Sequence, residues 1–314
     1  MIGSEEERIF WLVVFVLEAV VIIFCNVLGI VIFTRKHHHF KPCLLLTNQC
    51  FADFIMGIGV FFYCYDLMNN RLEYNPDCTK MNDLLRTIIF MLPMPASMYS
   101  LAVIALERAF AVFFPFRHRS LQTKHYRYAI LITWLTSFIT TICYVISHCN
   151  AFNPQVVEIS MLVFMGTMSM AGMTIMFSYV SIYIKLKFFP IFQNNASARK
   201  QIKLCRTLFI ATLASALTLL PMGIITVYSQ LHCGSRAVIT CFPGSVHYTA
   251  LVILISNSFI NFFIYSWRFP EFGKDVKDIF VGIRMCAVQV DANPQPTRKT
   301  KPEQGRGAAV ISRL

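Results

Sequence analysis

Residues 9–33 read IFWLVVFVLEAVVIIFCNVLGIVIF, with Glu18 as the single charge. A membrane-crossing helix needs about 20 mostly apolar residues, so this stretch is long enough to span a bilayer. A helix also satisfies its own backbone hydrogen bonds in lipid. Six more such stretches follow. Residues 43–65 carry only Asp53, and residues 87–106 are uncharged and end at Glu107-Arg108. The others are 128–147, 159–184, 207–231 and 247–267. The period-two alternation of β-barrel strands is absent. The expectation is an all-α membrane protein, a seven-transmembrane helix bundle.

The composition agrees. Only 14% of the 314 residues are charged, 56% are hydrophobic, and the mean hydropathy is +0.57. A soluble protein carries about a quarter charged residues, which disfavours a soluble enzyme, a disordered chain or a coiled coil. Seven helices with short loops use most of the length and leave no room for a large extramembrane domain.

The net charge of +12 invites a nucleic-acid reading, but its distribution opposes it. The loops after the first, third and fifth stretches hold Arg35, Lys36, Lys41, Arg108, Arg117, Arg119, Lys124, Arg127, Lys185, Lys187, Arg199, Lys200, Lys203 and Arg206. The opposite side has only Arg8, Arg71, Lys80, Arg86 and Arg236. Basic loops stay cytoplasmic. The expected orientation has residues 1–8 as a short extracellular N-terminus, residues 9–267 as the seven-helix bundle, and the C-terminus inside. The basic face suits anionic lipid headgroups and a cytosolic partner, not nucleic acid. The start is acidic and the first apolar run too long for a signal-peptide core, so the first helix is expected to serve as its own insertion signal.

Beyond Trp267, the residues Phe269, Phe272, Val276, Ile279, Phe280 and Ile283 recur at helical spacing with Lys274, Asp275 and Asp278 between them. Residues 268–286 are therefore expected to form a short amphipathic helix along the inner leaflet. Residues 287–314, with Pro294, Pro296 and Pro302, are expected to be a disordered tail.

The third stretch ends Leu106-Glu107-Arg108-Ala109-Phe110-Ala111-Val112-Phe113-Phe114-Pro115. An acid beside an arginine at a membrane boundary can neutralise it, then release it towards a cytosolic partner. Asn26 lies in Asn26-Val27-Leu28-Gly29, and Asp53 ends Asn48-Gln49-Cys50-Phe51-Ala52-Asp53. Trp134 sits in the fourth stretch, Pro221 in the sixth, and the seventh closes Asn261-Phe262-Phe263-Ile264-Tyr265. In order and spacing this set resembles the rhodopsin-like (class A) G-protein-coupled receptors, with Phe110 one place beyond the usual Tyr and Phe262 in place of a proline. Leu219 stands where the family usually has a tryptophan. The fifth helix lacks its usual proline. Gln201 stands where many members carry an acid that holds the arginine. With Glu-Arg-x-x-Ala-Val-x-x-Pro and abundant phenylalanine, the chain looks most like the nematode serpentine chemoreceptors, with an orphan neuropeptide-type receptor close behind.

The resemblance implies a receptor in the plasma membrane that passes ligand binding to a heterotrimeric G protein. Glu107, Arg108, Asn261 and Tyr265 would then serve coupling and activation. By family position, Phe90, Met91, Met94, Met222, Thr226, Leu251 and Ile255 would line the ligand pocket. These are almost all apolar, which suits a small hydrophobic ligand. Phe90 replaces the aspartate that binds amines, and Ile255 the lysine that binds retinal, so neither a monoamine nor a photopigment is expected. No cofactor is implied beyond a sodium ion held by Asp53, Ser97, Asn257, Ser258 and Asn261. Hard cations favour such oxygens; a hydrogen-bonded network without an ion is the alternative. Glu18 either faces a water-filled vestibule or is a tolerated neutral acid.

Four of the eleven cysteines, Cys78, Cys149, Cys233 and Cys241, fall in outer loops where oxidation is possible. The family would join Cys78 to Cys149, although Cys78 lies about five residues before the usual position, here Asp83. Cys233 with Cys241 is another option, and sequence leaves all three pairings open. Cys286 is a lipidation candidate. His37-His38-His39 lacks the acid or cysteine company of a metal site, and Asn195-Ala196-Ser197 is a sequon on the cytoplasmic side. A seven-helix transporter or channel would show inverted repeats and paired broken helices, which are not found. An intramembrane metal hydrolase would need histidines and acids at one depth. No enzyme is expected.

Overall fold

The computed structural model describes residues 5–36, 41–69, 80–148, 153–188, 196–232, 242–268 and 272–281. The helices are α1 (Glu5–Lys36), α2 (Cys43–Met68), α3 (Met81–Met91), α4 (Pro93–Phe113), α5 (Pro115–Ser120), α6 (Thr123–His148), α7 (Pro154–Phe188), α8 (Ala196–His232) and α9 (Gly244–Arg268). A further helix covers residues 272–281. Among the described residues there is no strand. Six crossings are long and apolar enough to traverse a membrane: α1, α2, α3 with α4, α6, α7 and α9. The remaining crossing, α8, holds the shorter apolar run Leu213–Ser229 around Pro221.

The bundle closes as a ring. α1 packs on α2, α2 on α4, α4 on both α6 and α7, and α8 on α9, which returns to α1. Two apolar cores stack inside it. The outer one gathers Trp11, Phe15, Val60, Tyr248, Leu251 and Ile255; the inner one gathers Leu101, Ala105, Val112, Tyr179, Tyr265 and Phe272. Leu219 packs against both. Asn26 ties α1 to α9, its Nδ2 donating to the Ser258 carbonyl at 2.8 Å. Asn48 joins three helices: its Nδ2 donates to Ser100 Oγ at 2.8 Å on α4, and its Oδ1 accepts from Trp134 Nε1 at 2.9 Å on α6.

The third crossing differs from the single helix its uncharged run suggests. It divides at Leu92, because Pro93 and Pro95 lack the N–H that would continue the ladder. Leu92 keeps helical dihedrals and its N–H still reaches the Ile88 carbonyl at 2.8 Å, so α3 and α4 run on in one direction. α2 supports the joint. A Cβ on Gly59 would stand 2.9 Å from Phe90 Cα and 3.0 Å from the Ile89 carbonyl, so only glycine allows this approach.

The connection between α7 and α8 is also shorter than its charge pattern suggests. α7 continues to Phe188 and α8 begins at Ala196. Residues 196–206 contain no Gly or Pro and are mostly good helix formers. Basic residues expected in a loop therefore lie on helical extensions. At the other end of the chain, Phe272 of the amphipathic helix lies buried with ring centroids 5.1 Å from Phe33, 5.5 Å from Phe262 and 6.3 Å from Tyr265. Val276 and Ile279 pack on the same core.

Candidate functional site: an arginine latch at one end of the bundle and a buried polar pocket

At the inner end of α4, Arg108 is 1% exposed and is held by its neighbour. Its Nε and Nη2 both donate to Glu107 Oε2. The other carboxylate oxygen, Oε1, meets His118 Nε2 at 2.6 Å and accepts from Tyr126 OH at 3.3 Å. One buried acid therefore gathers an arginine from α4, a histidine from α5 and a tyrosine from α6. The local sequence produces this. Pro115 stops α4, since the residue before a proline is pushed out of helical geometry. The six-residue α5 then folds back along the bundle end. Lys41 Nζ braces that turn by donating to the Leu121 carbonyl at 2.8 Å. On the outer face of α5, Phe116 is 85% exposed. Sequence reading found Glu107 and Arg108 but missed His118, Tyr126 and Phe116, which become neighbours only through the fold. The Gln201 side chain, the suggested counterpart of Arg108, lies outside the described residues.

Midway through the bundle, the residues expected around a cation come together. Asp53 is 1% exposed, and Ser97 Oγ donates to its Oδ1 at 2.9 Å. Ser258 and Asn261 flank the same carboxyl group, and Asn257 lies buried one turn earlier on α9. The structure adds a member that sequence reading overlooked. Gln49 Nε2 donates to Asp53 Oδ2 at 3.1 Å and to Ser97 Oγ at 2.5 Å. Its position four residues before Asp53 is the available signal, because i and i+4 share a helix face. A metal ion needs converging oxygen lone pairs. Here both carboxyl oxygens and the serine oxygen accept hydrogen bonds, and the group converging on them is an amide NH2. The donor set as arranged does not fit sodium.

The ligand-pocket positions separate. Leu251 and Ile255 belong to the outer core, with Phe90, Met94 and Met222 packed against it; Phe90 stacks on Tyr63 with centroids 5.1 Å apart. Met91 instead joins Tyr144, Met161 and Phe164 between α6 and α7. One residue along a helix is about 100° round it, so Phe90 and Met91 face different clusters. Thr226 Oγ1 bonds its own helix at the Met222 carbonyl. Above this core, Arg86 on α3 pairs with Asp66 Oδ1 at 3.3 Å and with Asp83, and its guanidinium lies 5.7 Å from the Tyr65 ring centroid. Glu18 is buried on the α1 stripe that includes Phe15 and Ile22, and its Oε2 has no hydrogen-bond partner. Cys78, Cys149, Cys233, Cys241, Cys286, Asn195 and His37-His38-His39 lie outside the described residues.

Seven crossings, a buried arginine latch at the inner end and a polar pocket centred on Asp53 define a seven-helix receptor. The family described as "7 transmembrane receptor (rhodopsin family)" matches residues 25–265, and the chain belongs to it. Among its relatives is the lysophosphatidic acid receptor 3 of Mus musculus, 26% identical over 298 residues, covering 90% of this chain and 80% of the relative. The Homo sapiens receptor 3 is 26% identical over 87% of this chain and 77% of its own length. The lysophosphatidic acid receptor 1-B of Xenopus laevis is 23% identical over 82% and 72%. These vertebrate relatives do not extend the resemblance to nematode chemoreceptors.

Proposed function

We propose that this chain is a plasma-membrane receptor, N-terminus outside, that binds a small apolar or amphiphilic ligand from the extracellular side and activates a heterotrimeric G protein. The carrying observation is the Glu107–Arg108 latch. Arg108 is buried and neutralised at the basic, cytoplasmic end, and it can serve a partner only by leaving Glu107. The exposed Phe116 beside it offers an apolar anchor for that partner. The domain plan follows: residues 1–8 outside, 9–267 the receptor bundle, 268–286 the inner-leaflet helix and 287–314 the tail.

The apolar packing of Phe90, Met94, Met222, Leu251 and Ile255 favours a hydrocarbon-rich ligand over a monoamine. The relatives are named for lysophosphatidic acid, which narrows the reading to an amphiphile with an acyl chain and an anionic head. An anionic head would have to draw Arg86 away from Asp66 and Asp83. Odorants and peptides remain the alternative ligand classes.

The test is a panel of lysophospholipids, fatty acids, volatile apolar compounds and peptides, applied to cells expressing the chain with a promiscuous Gα. A GTP-dependent response is expected. Arg108→Ala should keep surface expression and abolish the response, and Phe116→Ala should reduce it without changing expression. A current or product that appears without a G protein would favour a channel, transporter or hydrolase.

A further inference from the structure

We propose that Gln49 takes the place of a metal ion in this receptor: its carboxamide is a tethered donor that fills the Asp53 pocket and makes the pocket indifferent to sodium. Gln49 is 0% exposed, deep within α2. Its two N–H donors face two acceptors, Asp53 Oδ2 on the same helix and Ser97 Oγ on α4. Ser97 passes its own hydrogen to Asp53 Oδ1, so the three side chains form a closed ring of hydrogen bonds. Turning the amide over would set its oxygen against Asp53 Oδ2, an acceptor–acceptor contact, and would take the Ser97 hydrogen away from Asp53 Oδ1, so the ring favours the orientation seen. A buried amide is costly without such partners. Gln49 is therefore held where an ion would otherwise gather the same oxygens.

The remaining side of the pocket shows what the amide displaces. Asn261, which flanks the Asp53 carboxyl group, has a buried Oδ1 without a hydrogen-bond partner, and so does Asn257 one turn earlier on α9. With the carboxamide removed, Asp53, Ser97, Ser258 and Asn261 would be left as a set of hard oxygen donors, the kind a small cation selects. The indifference to sodium thus resides in one side chain, and deleting its amide should create the ion site.

The experiment uses the purified full-length receptor in detergent. Its thermal unfolding midpoint is followed across a titration of sodium chloride against choline chloride at constant ionic strength. The wild type should give the same midpoint throughout. Gln49→Leu should show a saturable sodium-dependent rise of roughly 2–4 °C, as expected for an ion bound only by the folded state. The Gln49→Leu/Asp53→Asn double variant should lose that rise. A wild-type midpoint that climbs saturably with sodium, and ceases to do so in Asp53→Asn, overturns the proposal. So does a folded Gln49→Leu protein that ignores sodium. If Gln49→Leu gives too little folded protein, Gln49→Ala supplies the same arm, and the wild-type measurement decides without either.

Discussion

At the scale of single residues, Glu107 shows how one carboxylate can hold a receptor closed. It is buried, and three groups from three helical segments converge on it: Arg108, His118 and Tyr126. Hydrogen bonds to charged groups are worth about 1.5–3 kcal/mol each, and about 1.4 kcal/mol is a tenfold change in an equilibrium. Glu107→Gln keeps the shape but removes the charge that restrains Arg108. Basal nucleotide exchange on a co-expressed G protein should rise by roughly tenfold or more, with His118→Ala giving a smaller rise. Unchanged basal exchange in Glu107→Gln would mean that Arg108 is restrained by something other than this acid. Asn48 makes a comparable structural test. It bonds both Ser100 and Trp134. Asn48→Ala leaves a buried partner, Ser100, and a half-buried one, Trp134, unsatisfied, at about 1–3 kcal/mol for the buried group, and should lower the thermal midpoint in detergent by several degrees. The acid–arginine pair and Trp134 were legible in the sequence because each stands out chemically in an apolar run, whereas Asn48 entered only as part of the run before Asp53, with no role assigned to it. Gln49 also stands out, but its meaning depends on which way its helix faces. His118 and Tyr126 lie 11 and 19 residues from Glu107 and could be joined to it only by the fold.

At the scale of elements, the apolar runs marked the crossings because lipid demands uninterrupted apolar length. They were weaker guides to where helices divide or extend. Charge told topology from loops, yet α8 carries its helix into the basic segment because nothing in residues 196–206 breaks it. Conversely, Pro93 and Pro95 divide a crossing that hydropathy presents as continuous. The α2–α3 contact at Gly59 supports that joint, and its tightness can be measured. Gly59→Ala places a methyl group against the backbone of Ile89 and Phe90. Backbone cannot move aside as a flexible side chain can, so overpacking of about 1–3 kcal/mol is expected. The thermal midpoint should fall by several degrees. Gly172→Ala in α7 is the control, since nothing lies within 4 Å of its would-be Cβ; it should be neutral or slightly stabilising, as alanine is the better helix former. Equal effects at both sites would mean that Gly59 matters for helix propensity and not for close approach.

At the scale of the whole molecule, everything proposed depends on which face of the bundle meets the cytosol. Arg108, Phe116 and the amphipathic helix lie at one end, and Arg86 with Asp66 and Asp83 lies at the other. The asymmetry of Lys and Arg between the two sets of loops is the ground for proposing that the Arg108 end is cytoplasmic. Lys41, Arg117, Arg119, Lys124 and Arg127 surround it, whereas the first turn of α1 is acidic, with Glu5, Glu6 and Glu7. Basic segments also gain about 1 kcal/mol per residue beside an anionic inner leaflet, so both the insertion rule and the lipid interaction point the same way. An epitope tag before Met1 should therefore be stained on intact cells, and a tag after Leu314 only after permeabilisation. Asn195 should carry no glycan, because a cytoplasmic sequon never meets the transferase in the lumen. Replacing Arg117, Arg119, Lys124 and Arg127 together should weaken this preference and produce a fraction of molecules with the reverse staining. A glycan on Asn195 in the unaltered chain would invert the molecule. It would place Arg108 and Phe116 outside the cell and remove the G protein from the account.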